Sequence, residues 1–389
     1  MQLKRILKNI DKPLLIISAI LFVFGLIMIF SASNITAFMK YSASPYRYFL
    51  KQSIFLIVSL IASLFLIQFY SKSYHIIATL AVYAIGVTLT LLLMYGSLKN
   101  KAISWIDLGF FSIQPSEFAK IIIIIWLSCY YDKHQEHLNK YGTVLYPILI
   151  SVVIAGLIFA QPDLGTTIIY SIIVATIFFM APISKEIRNK VLWIIMGGIV
   201  IMSLVLVGGG SSLLTERQKE RFDFSNPCST EKFYGKGNQV CNGYIAINNG
   251  KLLGVGLGNS TQKYLYLPEA HTDFIFAIIM EELGYLGCII ILFLYYLLIG
   301  RIIKIGRDSH NTRGFLICMG VAVYIILHIF VNLGGIFGIM PMTGVPLPFM
   351  SYGGSFAMCL VFALTFVQRI NVENCFYQEK NLKKLEKKK

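Results

Sequence analysis

Charge is scarce in this sequence: only 14% of its 389 residues are Asp, Glu, Lys or Arg, while 56% are hydrophobic. A soluble domain of that composition would leave more apolar surface in water than a core could absorb. Acid is scarcer still, with 19 acidic residues against 34 basic ones. No His/Cys cluster has zinc-ligand spacing, and seven scattered cysteines are no disulfide framework. Internal repeats are absent, and the lysine-rich tail is the only low-complexity stretch, which weakens an inverted-repeat transporter. Polar sequence long enough for an ordinary soluble domain is missing as well.

What the chain does have is apolar runs of the roughly 20 residues that a membrane-crossing helix needs. They predict an all-α integral membrane protein of about ten helices, near 13–33, 48–70, 74–96, 115–131, 144–161, 164–182, 191–209, 273–300, 314–337 and 350–370. The first run leads into Ser31-Ala32-Ser33, superficially a cleavage site, but its apolar core is long for a signal peptide and reads as an anchor. Residues 1–12 are then a basic N-terminus, 13–370 a membrane domain, and 371–389 a basic tail. Placing both termini in the cytoplasm puts about 21 of the 34 basic residues on that side, as the positive-inside tendency requires. The net charge of +15 is on this reading a topology signal with some attraction to anionic lipid, and nothing else favours a nucleic acid.

The long polar gap, 210–272 between the seventh and eighth spans, then faces outside. So do 97–114, the turn Gln161-Pro162-Asp163-Leu164-Gly165, and 338–349, whose Pro341, Pro346 and Pro348 indicate a structured re-entrant turn. Cys228 and Cys241 share the long loop, where a disulfide is chemically possible. The stretch Gly250 to Ser260 lacks Walker spacing and a strand–helix context, so it reads as a tight loop whose backbone can approach a substrate or a neighbouring helix.

Ionisable residues inside spans are costly and mark function or structural pairing. Glu117 and Lys120 are three apart on one helix face, either a structural ion pair or the wall of a cavity for an anionic substrate. Leu267 to Ala277 reads LPEAHTDFIFA and carries Glu269, His271 and Asp273 into the eighth span. Asp273 at that junction can cap the helix or, partly desolvated beside a cavity, serve as a general base. Glu281 and Glu282 lie farther down the same helix, one toward the bundle and one near a polar partner. Trp105 is either an interfacial anchor or a surface on which a sugar ring stacks.

Four stretches in order resemble the SEDS family of shape, elongation, division and sporulation proteins: SWIDLG with QPSEFAK over 104–120, QPDLGT over 161–166, LPEAHTDFIFAIIMEEL over 267–283, and PMTGVPLPFMSYGGS over 341–355. The similarity runs from the first span to about residue 370, and Gly256 to Tyr266 looks more like the FtsW branch than RodA. It departs at Ser104, where many members have arginine, and at Phe356, where a second serine is common.

The resemblance implies a SEDS-type bundle and a peptidoglycan glycosyltransferase of the bacterial cytoplasmic membrane that consumes lipid II. It also implies a class B penicillin-binding protein transpeptidase as partner, within divisome or elongasome assemblies. Asp273 takes the essential position, and Trp105, Glu117, Lys120 and Ser351 take cavity positions. With Asp273 as base, Lys120 and the loop arginines Arg217 and Arg221 are expected to offset pyrophosphate charge, with Glu269 and His271 beside the substrate. A divalent cation, magnesium or manganese, is the alternative. A lipid II flippase is the competing function, and a noncatalytic scaffold a third.

Overall fold

A computed structural model describes residues 2–95, 104–107, 109, 111–195, 227–229 and 237–387. Its helices are α1 (Gln2–Lys8), α2 (Lys12–Tyr41), α3 (Arg47–Leu66), α4 (Tyr74–Tyr95), α5 (Pro115–Lys133), α6 (Tyr141–Ala160), α7 (Leu164–Met180), α8 (185–195 of the described chain), α9 (Asn238–Gly250), α10 (Ile275–Arg307), α11 (Thr312–Ile336) and α12 (Gly354–Glu386). A two-residue antiparallel hairpin, Ile106–Asp107 with Ser112–Ile113, precedes α5. Seven of the described helices, α2, α3, α4, α6, α10, α11 and α12, are long and apolar enough to cross a membrane, and α7 is a shorter apolar helix. The chain is an all-helical, multi-span membrane protein. The expected seventh span, 191–209, lies mostly outside the described residues.

Local chemistry sets the helix ends. Asp11 caps α2 by accepting from Leu14 N at 2.8 Å, with Pro13 in the first turn. Asp163 caps α7 through Thr166 N at 3.1 Å, Asn311 caps α11 through Gly314 N at 2.7 Å, and Pro115 opens α5. Burial then sorts the helices: α11 and α12 are mostly enclosed, whereas α3 and α4 turn Ile54, Ile57, Leu60, Ile77, Leu80 and other large apolar side chains outward, as lipid-facing helices do.

One end of the bundle is tied by ion pairs. Arg301 donates to Asp11, Arg313 Nη1 to Asp132 at 2.8 Å, and Arg369 Nε to Glu373 at 3.0 Å. Gln368 Nε2 donates to Asp11 O, and Arg5 pairs with Glu379 at 2.6 Å, so both ends of the chain lie at this same end. The opposite end is the mouth, where Asp163, Asp273 and Ser351 sit.

Two features depart from a plain helical hairpin series. The turn after α11 does dip back among the helices: Leu347, Phe349 and Met350 are buried, Tyr295 of α10 donates to Pro348 O, and Gly25 of α2 lets the Phe349 carbonyl approach where a Cβ would stand 2.0 Å away. The second difference is at the far end, where α12 runs on to Glu386, past the expected end of its span at 370.

Candidate active site

Asp273 stands two residues before α10 and is half-buried. It is not the helix cap: the N-cap position belongs to Phe274, which makes no side-chain cap bond. Three successive carbonyls in this turn are each taken by a donor from the re-entrant loop or from α11. Tyr352 N donates to His271 O at 2.9 Å, Ser351 Oγ to Thr272 O at 2.7 Å, and Asn332 Nδ2 to Asp273 O at 2.8 Å. Asn332 Nδ2 also donates to Val345 O at 2.8 Å, and Ser351 Oγ accepts from Leu347 N at 2.8 Å. The backbone carrying Asp273 is thereby fixed against two elements that are remote in sequence.

The Asp273 carboxylate faces a cleft it shares with Phe274, Asn332, Gly335, Thr343 and Gly344. Gly344 has φ +72°, and a Cβ there would stand 3.4 Å from Asp273 Oδ2, so glycine keeps this wall open. The cleft closes to about 10 Å³, the space of one water. Asn332 is a functional residue that the motifs do not single out; an amide within an apolar span is its only signal in the sequence. Asn332→Leu strands two buried carbonyls and is expected to cost about 1–3 kcal/mol, read as a lowered unfolding midpoint in detergent.

His271 is buried beside the rings of Tyr48, 4.4 Å away, and Tyr352, 5.8 Å away. Burial pushes its pKa down from 6.5 to about 4, with Lys40 adding to that and Glu269 opposing it. Glu269 is exposed and accepts from Thr272 Oγ1 at 2.7 Å. Because the folded imidazole stays neutral while the unfolded one protonates, His271 contributes stability above pH 6.5 that is lost as pH falls toward 4. Unfolding midpoints between pH 7 and 5 are expected to drop in the parent chain and to flatten in His271→Gln.

Glu117 and Lys120 are sealed rather than exposed to a cavity. Lys120 Nζ donates to Glu117 Oε1 at 2.8 Å and to His328 Nε2 at 2.9 Å, and His328 Nδ1 is 2.7 Å from Tyr324 O, which fixes the Nδ1–H tautomer. All three are essentially inaccessible, and none lines the Asp273 cleft. His328 is one turn from Asn332 on α11, so this charged layer lies directly beneath the one holding Asp273. Beside it, Gln114 Nε2 donates to Asp163 at 2.8 Å, and Gly165 packs under Thr343 of the cleft. Trp105 is half-buried at the hairpin, and Ser104 Oγ reaches Gln161 O at 3.3 Å. Arg217 and Arg221 lie outside the described residues.

Below Asp273, α10 breaks at Gly284, where φ is +68°. Segment 251–256 fills the break: Val255 N and Gly256 N donate to the carbonyls of Glu281 and Glu282, and Tyr285 N and Leu286 N donate back to Lys251 O and Leu252 O. Gly254 is needed there, since a Cβ would stand 2.2 Å from Glu282 O. The glycine-rich stretch does approach a helix closely, as its composition suggests. The glutamates hold the same segment. Glu281 accepts from Asn249 Nδ2 at 3.0 Å, Thr261 Oγ1 at 2.8 Å and Ser260 Oγ, while Glu282 accepts from Ser31 Oγ at 2.7 Å and Lys263 Nζ at 3.1 Å. Cys228 and Cys241 are joined as a disulfide next to this unit, and the other five cysteines are free.

Residues 12–375 match the family model described as "Cell cycle protein", which spans FtsW, RodA and SpoVE. The chain belongs to this family. Among curated family members it is 35% identical over 385 residues to the probable peptidoglycan glycosyltransferase FtsW of Bacillus subtilis, covering 95% of this chain and 92% of that one. It is 34% identical over 378 residues to the protein of the same name from Haemophilus influenzae, again covering 95% and 92%. Among solved structures, a chain of a peptidoglycan synthase complex that coordinates polymerization and crosslinking superposes with TM-score 0.72 at 23% identity, covering 93% and 97%. The rod shape determining protein RodA of Thermus thermophilus superposes with TM-score 0.65 at 22% identity, covering 93% and 96%. The family fold is therefore shared along nearly the whole chain.

Proposed function

We propose that this chain is a peptidoglycan glycosyltransferase that polymerises lipid II at the outer face of the cytoplasmic membrane during cell division. One observation carries the reading: a carboxylate held by three pinned carbonyls opens at the mouth of a bundle whose outer helices are lipid-facing. A substrate with a polyprenyl tail and a sugar headgroup needs that juxtaposition. Its relatives' names point to the same activity.

Asp273 accepts the proton of the acceptor GlcNAc 4-hydroxyl as that oxygen attacks the donor MurNAc anomeric carbon, which inverts, and undecaprenyl pyrophosphate leaves. Positive charge is needed where the pyrophosphate departs. Lys40 and Arg47 stand near His271 and Tyr352 at the mouth and would add positive charge there, and Lys120 pairs with Glu117 and His328 beneath it. Glu117 and Lys120 hold α5 against α11 beneath the site. Trp105, Glu269 and Ser351 border the mouth, Ser351 acting through the backbone it binds. Among the described residues no group of three His, Cys, Asp or Glu side chains is gathered to hold a metal ion; a divalent cation would be held by Asp273 together with the substrate's pyrophosphate, whose charge it would offset. A cleft with room for one water must widen to admit a disaccharide, and a class B penicillin-binding protein that favours the open form would activate the enzyme by population shift.

The mouth faces outward on this reading. Two observations support it: the Cys228–Cys241 disulfide belongs in an oxidising compartment, and the basic residues crowd the opposite end with both termini. Residues 1–12 and 371–389 are then cytoplasmic and 13–370 catalytic. Purified protein given lipid II, with and without its transpeptidase, is expected to form glycan strands. Headgroup translocation across vesicles without any polymer would replace this reading with a flippase.

A further inference from the structure

The ion-paired end of the molecule carries a pocket that the reaction does not use. It measures about 360 Å³ and lies between α1 and the extension of α12 beyond the membrane domain. Arg5 and the lysines Lys380, Lys383, Lys384 and Lys387 line it. The lysines recur at helical spacing, so they stand on one face of α12. Like charges four apart, 380 with 384 and 383 with 387, repel one another and disfavour the very helix that presents them. Glu379 is the one acid lining the pocket, and it is already taken by Arg5 at 2.6 Å. Arg5 also lies over the Phe376 ring at 4.7 Å, which gives the pocket an apolar floor. An anion at the centre would relieve the repulsion.

The surroundings say which anion. Helix α1 is seated across the end of the bundle by Ile6, fully buried against Ile67 and Val372. On its outer side Leu7 is exposed beside Lys4 and Lys8, whereas Leu382 and Leu385 are exposed on the face of α12 turned away from the pocket lysines. An exposed leucine flanked by cations on α1, which lies across the end of the bundle, fits a headgroup–acyl boundary better than bulk water. We propose that this pocket binds the phosphodiester headgroup of an anionic phospholipid in the adjacent leaflet, which draws α1 and the end of α12 onto the membrane surface.

Binding of a fluorescent phosphatidylglycerol to the purified full-length chain in neutral detergent tests this, with phosphatidylcholine of the same acyl chains as reference. The expected result is salt-sensitive preference for phosphatidylglycerol, weakened about a hundredfold when all four pocket lysines become glutamine and retained when all four become arginine, which keeps the charge. Equal binding of the two lipids, or undiminished preference in the glutamine variant, would overturn the proposal. So would full displacement of the lipid by millimolar inorganic phosphate at constant ionic strength, which would assign the pocket to a free phosphate. None of these readouts depends on polymerase activity.

Discussion

Purified protein carrying Asp273→Asn is expected to polymerise lipid II roughly 10²–10⁴-fold more slowly than the parent, with an unchanged unfolding midpoint. The two outcomes separate because asparagine keeps the size of the side chain and the turn is tied through its backbone. Asn332, Ser351 and Tyr352 bind main-chain carbonyls of residues 271–273, and an amide side chain at 273 leaves those bonds in place. What changes is proton affinity: asparagine cannot accept the proton of the attacking hydroxyl. Asp273→Glu moves the carboxylate outward by a methylene in a cleft that holds one water, and is expected to recover only part of the rate. Gel analysis of glycan strands from labelled lipid II reads both variants. Parental rates in Asp273→Asn would remove this residue from the chemistry.

The second large effect is expected from Lys263→Met. Lys263 is buried and donates to Glu282 at 3.1 Å, to Gly258 O at 2.6 Å and to Ser31 at 3.3 Å. Methionine fits a similar volume but leaves the Glu282 charge enclosed without its cation, a loss of about 3–5 kcal/mol in comparable buried pairs. Adding Glu282→Gln should restore part of the stability, because a neutral amide is far less costly to bury than an unpaired carboxylate. The same damage should slow polymerisation, since segment 251–263 fills the break in α10 a few turns below Asp273. An unfolding midpoint equal to the parent's would show that the pair does not hold this segment.

Much of the helix map was legible because the bilayer imposes a length on apolar runs. Expected spans at 48–70, 74–96, 144–161 and 314–337 end within a few residues of α3, α4, α6 and α11. Boundaries shifted where helices continue beyond lipid, as at the end of α2 and in α12, since hydropathy loses its hold once a helix enters water. The break at Gly284 was hidden for another reason. Apolar periodicity continues through it, and only the glycines at 250, 254 and 284 hint that backbone meets backbone there.

The site divides in the same way. Asp273 stood out by its place at a membrane boundary, and Ser351 by its motif. The burial of Glu117 and Lys120 did not, because a three-residue spacing puts two charges on one helix face without telling whether that face meets a cavity or His328.

By itself the sequence determined that the chain lives in a membrane, roughly where it crosses, and that the Asp273 carboxylate falls at a span boundary, since these follow from local composition and period. Only the tertiary structure decided what that carboxylate is held by, which charges are sealed and how the glycine-rich segment closes a broken helix. Those depend on donors and acceptors up to 251 residues apart meeting within hydrogen-bond distance, which no local pattern encodes.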